Sequence, residues 1–363
     1  MIMRVLYDTH VFNWQKVGGI SKYYVELISH LREEQVSAVL PVIISNNLYI
    51  HENKNFSNVY TLFPYLNSRY RDKLIGRINN ALLDYHYCKK DFDIFHPTYY
   101  ELSFLERIKG KPFVLTVHDM YNERFNVDSG NVIFFKKELI KRADRIIAIS
   151  ENTKKDILQI YDIDEKKISV VYHGFRAVES LIRPEGLIRQ PYVLFVGGRG
   201  DYKNFDRFIK AFAYLVTKYA DLNLVCTGNI FTKEELMNFK KLNISEKVHH
   251  CFSTEKELAW LYANAEFFVF PSIYEGFGLP LLEAFYYGAP SIVSNTSCFP
   301  EIANDAALFF NPYEIDSMIS NMDKLLSSDS LKNQLIRCGK FRVEQFSWRK
   351  TAEETNTIYE SLL

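Results

Sequence analysis

Two glutamates, Glu275 and Glu283, bracket a glycine turn and a proline in the stretch Glu275-Gly276-Phe277-Gly278-Leu279-Pro280-Leu281-Leu282-Glu283. The apolar run Phe267-Phe268-Val269-Phe270 stands just before it and ends in Pro271-Ser272. A strand that feeds such a turn, with proline at a first helical position, aims a helix N-terminus and its backbone amides at an anion. Carboxylates are poor ligands for phosphate but good acceptors for paired hydroxyls. The chemistry indicated is recognition of a ligand that carries both phosphate and sugar, and a nucleotide sugar fits that description.

Further polar residues stand at the ends of other apolar runs. The loop Gly197-Gly198-Arg199-Gly200-Asp201-Tyr202-Lys203-Asn204 follows Tyr192–Val196. Its glycines permit close approach while Arg199 and Lys203 reach a diphosphate, or else the charges are those of a solvated polar turn. It is not the dinucleotide fingerprint, which would put a glycine where Lys203 stands. His118-Asp119 follows Phe113–Val117 and sets an imidazole and a carboxylate at a strand's carboxyl end, although a lone histidine is usually structural. Gly18-Gly19-Ile20 precedes a helical pattern carrying Tyr23, Tyr24, Leu27 and Leu31. These glycines admit phosphate or sugar, or simply make a turn. Ser150, in Ser150-Glu151-Asn152-Thr153, is expected to cap a helix.

The elements that must hold these residues alternate between short apolar runs and longer helical patterns, the mark of parallel sheets with crossover helices. Strands are expected near Arg4–Tyr7, Val39–Ile44, Ile94–His96, Phe113–Thr116, Ile146–Ile149 and Ser169–Val171. In the second half they are expected near Tyr192–Val196, Leu222–Thr227, Val248–Cys251, Phe267–Phe270, Ser291–Val293 and Ala307–Phe309. Residues 175–191, with two prolines, Gly186 and no periodicity, read as a linker. The fold class is α/β, with two doubly wound parallel-sheet domains, 1–174 and 192–346, presenting their strand ends to a shared cleft. Ser347–Leu363 reads as a closing helix capped by Ser347.

Composition narrows the class. A chain of 363 residues with 47% hydrophobic content can build two cores. Lys plus Arg equals Asp plus Glu at 44 each, so no global field attracts nucleic acid. The five cysteines are scattered without C-x-x-C spacing and read as free thiols of a reducing cytosol. No signal peptide or membrane-spanning run is evident, which suggests a cytoplasmic protein. Asp91-Phe92-Asp93 matches the D-x-D signature of metal-dependent sugar transfer in form, but it precedes the strand Ile94–His96 instead of following one. No metal and no cofactor is expected.

Taken together, the chain resembles the family-4 (group 1) retaining glycosyltransferases of the GT-B fold, of the bacterial surface-polysaccharide type. Gly18-Gly19-Ile20, His118-Asp119, Ser150–Thr153, His173-Gly174, Gly197–Asn204, Pro271-Ser272, Glu275–Glu283, Asn295–Glu301, Asp305-Ala306-Ala307 and Phe346-Ser347-Trp348 carry the resemblance. It implies two facing Rossmann-like domains, an N-terminal acceptor domain and a C-terminal donor domain, with the helix 347–363 crossing back to the first. It implies that Glu275 hydrogen-bonds the hydroxyls of the donor sugar, helped by the backbone of Phe277, Gly278 and Leu279, and that Glu283 holds the ribose. Arg199 and Lys203 would neutralise the diphosphate, His118 would lie beside the transferred sugar, and Gly19 would lend amides to the phosphates. The base would sit near Phe252, Ser253 and Thr254.

The form of the phosphate loop resembles that of mannosyl- and deoxyhexosyl-transferring relatives, a resemblance that implies a GDP-linked, mannose-like donor in preference to a UDP-hexose. Basic residues interleaved with aromatics at 65–90 (Tyr65, Arg69, Tyr70, Arg71, Lys73, Arg77, Tyr85, Lys89, Lys90) and at 124–145 (Arg124, Phe134, Phe135, Lys136, Lys137, Lys141, Arg142, Arg145) suit an anionic membrane surface. Solvated helix faces account for the same residues. A lipid-linked saccharide acceptor, met at the inner face of the plasma membrane in O-antigen or other surface-polysaccharide synthesis, follows from the resemblance. The alternatives are a nucleotide-sugar epimerase of the same fold and a noncatalytic nucleotide-sugar-binding subunit.

Overall fold

A computed structural model of the chain describes residues 2–34, 36–61, 68–127 and 130–363. It divides into two compact units, Met1–Gly174 with Ser347–Leu363, and Phe175–Phe346. Within the first unit run β1 (Arg4–Tyr7), β2 (Ser37–Val39), β3 (Ile94–His96), β4 (Val114–Val117), β5 (Arg145–Ala148) and β6 (Ile168–Val170). β2-β1-β3 and β4-β5-β6 are parallel, and a Phe95 to Phe113 bridge carries β3 on to β4. These strands are short apolar runs, and β1, β3, β4 and β5 are almost wholly buried, as strands of parallel sheets usually are.

The second strand is shorter than its apolar run. A strand is expected over Val39–Ile44, but only Ser37–Val39 pairs with β1. Pro41 lies inside the run and has no N–H to give a ladder, so the pairing stops before it.

The second unit contains β7 (Tyr192–Phe195), β8 (Asn223–Cys226), β9 (Val248–His250), β10 (Phe267–Phe270), β11 (Ser291–Ser294) and β12 (Ala307–Phe310). They form one parallel 6-stranded sheet in the order β12-β11-β10-β7-β8-β9, the doubly wound dinucleotide-fold order read from the other edge. Residues of 175–191 are tied to this unit: the Val178 N–H donates to the Tyr287 hydroxyl at 2.9 Å and the Ile182 N–H to the Lys256 carbonyl at 3.2 Å.

The last helix, Trp348–Glu360, belongs to the first unit and starts on the Ser347 hydroxyl, which accepts from the Lys350 N–H at 3.2 Å. It lies against the helix Gly19–Glu33. Tyr359 joins its hydroxyl to those of the sheet's own polar core, 2.8 Å from the Tyr7 hydroxyl and 2.5 Å from His96 Nδ1. Gly174 permits the chain to pass here, because a Cβ at that position would lie 2.0 Å from the Trp348 nitrogen. No helix among the described residues is long and apolar enough to cross a membrane.

Candidate active site

The order of the second sheet reverses between β7 and β10, and open parallel sheets hold ligands at such a point. The glycine loop leaves β7 there and Pro271–Leu279 leaves β10 beside it. The two loops are knitted together: the Ile273 N–H donates to the Tyr202 carbonyl at 2.7 Å, and the Asn204 amide donates to the carbonyls of Pro271 and Pro312 at 3.1 and 2.7 Å. Asn204 takes a left-handed conformation (φ 59°), which turns the loop into the helix Phe205–Lys218.

This brings Lys203 and Glu275 into contact, Nζ to Oε1 at 2.6 Å. Burial pulls the Lys203 ammonium down, but the Glu275 carboxylate and the Tyr202 hydroxyl outweigh it and hold the group above its ordinary value. Lys203 is therefore a fixed cation. Glu275 is fixed too, since the Ser297 hydroxyl accepts from its N–H at 3.1 Å and donates to its carbonyl at 2.6 Å. Gly278 is left-handed (φ 89°), and the helix Leu279–Tyr287 begins after it with Pro280 in its first turn and no side-chain cap. Such a start presents backbone amides to an anion. Glu283, one turn in, accepts from the Tyr262 hydroxyl at 3.2 Å. The buried Phe277 ring meets Phe346 edge-on at 5.8 Å.

Arg199 differs from the sequence expectation. Its side chain is only 5% exposed and is paired with Glu235 at 2.6 Å, while it donates to the carbonyls of Asn229 and Ile230 at 2.6 and 3.0 Å. These partners follow β8, so Arg199 clamps the glycine loop on one side of β7 while Lys203 reaches across to β10 on the other. The guanidinium lines a separate cavity of about 650 Å³ with Asn229, Glu235 and Lys241. A carboxylate and carbonyls already occupy its donors, and Arg199 holds the loop in shape.

Of the expected base contacts, the Thr254 hydroxyl caps the helix Glu255–Ala263 in a reciprocal pair with Glu257. Phe252 is 72% exposed, with His250 edge-on against it at 4.4 Å. Ser253 lies between them.

In the first unit, His118 and Asp119 leave β4. The His118 N–H donates to the Tyr100 hydroxyl at 3.2 Å, Tyr23 meets the ring edge-on at 5.2 Å, and Nε2 is buried with no hydrogen-bond partner among the described residues. A buried imidazole nitrogen without a partner is uncommon in folded proteins. Burial, reinforced by Lys136 and opposed by Asp119, pulls its pKa to about 4, so the imidazole is neutral near pH 7. Gly19 opens the helix Gly19–Glu33, where the Gln15 side chain accepts from the Ser21 N–H at 2.9 Å. Ser150 caps its helix by accepting from the Thr153 N–H at 3.1 Å. Asp91 and Asp93 are bound to Arg4 and His86 before β3.

The basic stretches divide differently from the sequence expectation. On the helix Ser68–Lys89, Tyr70, Lys73, Leu74, Arg77, Tyr85 and Lys89 are exposed at helical spacing. Tyr65 and the Arg69 side chain lie outside the described residues. Lys136, by contrast, is 0% exposed, with Nζ 3.0 Å from Glu123 and donating to the Asp119 carbonyl at 3.1 Å. It braces the loop of His118. Its signal was in the sequence, because it shares a helical face with the buried Leu139 and Ile140.

The sequence pattern described as glycosyl transferases group 1 matches residues 179–341, and that described as glycosyltransferase family 4 matches residues 17–177. The chain belongs to the group 1 glycosyltransferases. Among the similar members, the O-antigen chain mannosyltransferase RfbU of Salmonella typhimurium is 30% identical over 230 residues, which covers 61% of this chain and 64% of that one. The O-antigen chain mannosyltransferase B of Escherichia coli is 26% identical over 396 residues, covering 99% of this chain and 100% of that one. Among solved structures, the sucrose-phosphate synthase of Thermosynechococcus elongatus superposes with a TM-score of 0.77 over 99% of both chains at 18% identity, a likeness of the GT-B fold.

This glycosyltransferase should lose stability in acid for an identifiable reason. His96, His118 and His173 are all buried, the last two with ring centres 6.1 Å apart, and desolvation depresses all three, His96 to about 3 and His118 to about 4. A depressed histidine contributes stability that is intact above its unfolded value near 6.5 and is lost as the pH falls toward the folded one. His118 alone should remove roughly 3 kcal/mol between pH 6.5 and pH 4. Thermal unfolding followed across that window should show a falling midpoint, and His118→Phe should flatten the fall.

Proposed function

We propose that this chain is a retaining glycosyltransferase that moves a mannose-like hexose from a nucleoside-diphosphate sugar, GDP-linked in preference to UDP-linked, to a saccharide acceptor. The observation that carries the donor assignment is the Lys203–Glu275 pair at the switch point of the second sheet, beside an uncapped helix N-terminus. A fixed cation suits the diphosphate and a fixed carboxylate suits the sugar hydroxyls. Breaking the anomeric bond places new negative charge on the departing diphosphate, so a cation already in place stabilises the transition state more than the ground state. The names of the RfbU and mannosyltransferase B relatives support mannose as the sugar and O-antigen synthesis as the setting.

The reading requires no metal or other cofactor, since Lys203 and the helix start supply the positive charge. A thermal-shift panel of GDP, UDP, dTDP and ADP tests the donor, because a ligand at a hundred times its dissociation constant adds about 2.7 kcal/mol of stability. GDP is expected to give the largest shift, undiminished by EDTA. Equal shifts from all four would remove the base preference. Release of the nucleoside diphosphate only when acceptor is supplied separates a transferase from an epimerase or a noncatalytic subunit.

The exposed stripe Tyr70, Lys73, Leu74, Arg77, Tyr85 and Lys89 supports a lipid-linked acceptor met at an anionic membrane on the cytoplasmic side. With roughly 1 kcal/mol per basic residue near such a surface, Lys73→Glu combined with Arg77→Glu should reduce sedimentation with phosphatidylglycerol vesicles at least tenfold. Vesicle binding that is indifferent to anionic lipid would set the membrane reading aside.

A further inference from the structure

A second crevice lies in the first unit. The strand order there reverses between β1 and β3, the same kind of switch point that marks the donor loops in the other sheet. The residues leaving these two strands meet across it. Asp8, after β1, takes two hydrogen bonds on Oδ1, from the Thr98 hydroxyl after β3 and from the His10 N–H at 2.9 Å. Asp8 is 6% exposed, and besides the Thr98 hydroxyl the Thr98 and His10 backbone groups bond its carboxyl.

That carboxyl group lines a cavity of about 270 Å³, whose other polar walls include His10, Asn13, Asn80, Asp84 and Arg107. The volume, just under the usual range for ligand pockets, suits a single sugar ring and not a nucleotide. Its lining decides the class of ligand. Asp8, Asp84 and Glu101 outnumber the single cation Arg107, which Asp84 holds at 2.5 Å. A wall of carboxylate and amide oxygens repels phosphate and accepts O–H donors. An aromatic step continues from the wall: His10 stacks on Tyr99 at 5.7 Å, and the half-exposed Trp14 meets the same ring edge-on at 5.6 Å.

The geometry points to this cavity as the acceptor subsite, taking a neutral, unphosphorylated hexose at the end of a saccharide, with the Asp8, Asn80 and Asp84 side chains that line it meeting its hydroxyls and the Tyr99–Trp14 step against its apolar face. The assignment rests on the glycosyltransferase reading above. The Asp8 carboxylate, Asn80 and Asp84 select for hydroxyl donors, and the excess of acids excludes sugar phosphates.

Saturation-transfer NMR on the full chain reads this directly, with methyl α-mannoside, methyl α-galactoside and methyl β-N-acetylglucosaminide as probes and mannose 6-phosphate as the charged control. At least one glycoside is expected to give a signal that falls tenfold or more in both Asp8→Asn and Ser103→Trp, and mannose 6-phosphate none. Ser103 is exposed and lines the cavity, so filling it with tryptophan blocks the space even where Asp8→Asn fails to fold. No glycoside signal, a signal that survives Ser103→Trp, or equal binding of mannose 6-phosphate would overturn the assignment. If GDP or UDP still raises the melting temperature of the wild-type chain in that event, the donor reading stands and only the subsite falls.

Discussion

Lys203→Ala should lower turnover with any nucleotide-sugar donor a hundredfold or more, corresponding to about 2–4 kcal/mol of lost transition-state stabilisation. The loss should fall mainly on kcat, because the charge that Lys203 meets develops as the diphosphate departs; a rise in KM alone would mean that it serves ground-state binding. One complication is built into the site. Lys203 is 2.6 Å from Glu275, so removing it also frees the carboxylate that is assigned to the sugar. A cycle with Glu275→Gln separates the two effects. If Lys203 acts only by holding Glu275, the double variant should be no worse than Glu275→Gln alone; if it meets the diphosphate, the double variant should be slower still. Turnover of Lys203→Ala within threefold of the wild type would end the phosphate assignment. Arg199→Ala, in contrast, should be felt first in stability and loop order, because the guanidinium is enclosed by Glu235 and the carbonyls of Asn229 and Ile230.

The difference between these two cations shows where sequence reasoning reaches and where it stops. The strands were legible because each is a short apolar run closed by glycine, proline or a polar turn, and β1, β3 and β10 occupy the expected residues. Strand ends then marked the loops, and the doubly wound order placed the glycine loop and Glu275 side by side. What local pattern does not contain is side-chain direction. Arg199 and Lys203 sit in one loop, yet the partner that turns Arg199 away is Glu235, in a helix after the next strand. The Thr254 hydroxyl likewise answers to Glu257 and the helix it begins, a capping box that the spacing of the two residues spelled out. Asp8 carries no local signal, since nothing in its neighbours' types distinguishes it; only the return of β3 beside β1 brings Thr98 to its carboxyl group.

Lys136→Ala should destabilise the first unit by about 3–5 kcal/mol, the cost of leaving a buried charge without its partner. The Lys136 side chain is 0% exposed and Glu123 3% exposed, and Nζ lies 3.0 Å from Glu123 and 3.8 Å from Asp119. The Tyr161 hydroxyl donates to the other Glu123 oxygen at 3.2 Å, and the ammonium stands 4.9 Å from the Tyr100 ring centre. Removing the cation strands Glu123 in an apolar setting, and Lys136→Met should do nearly as badly because size is not what is missing. Lys136→Met combined with Glu123→Leu should recover most of the loss, since a buried pair replaced on both sides is often neutral. The same change reaches the site. Lys136 helps to depress His118, so its loss should move the His118 titration upward from about 4, measurable by NMR of the imidazole protons. Denaturant midpoints unchanged in Lys136→Ala, together with an unmoved His118 titration, would show that this buried cation does not brace the His118 loop.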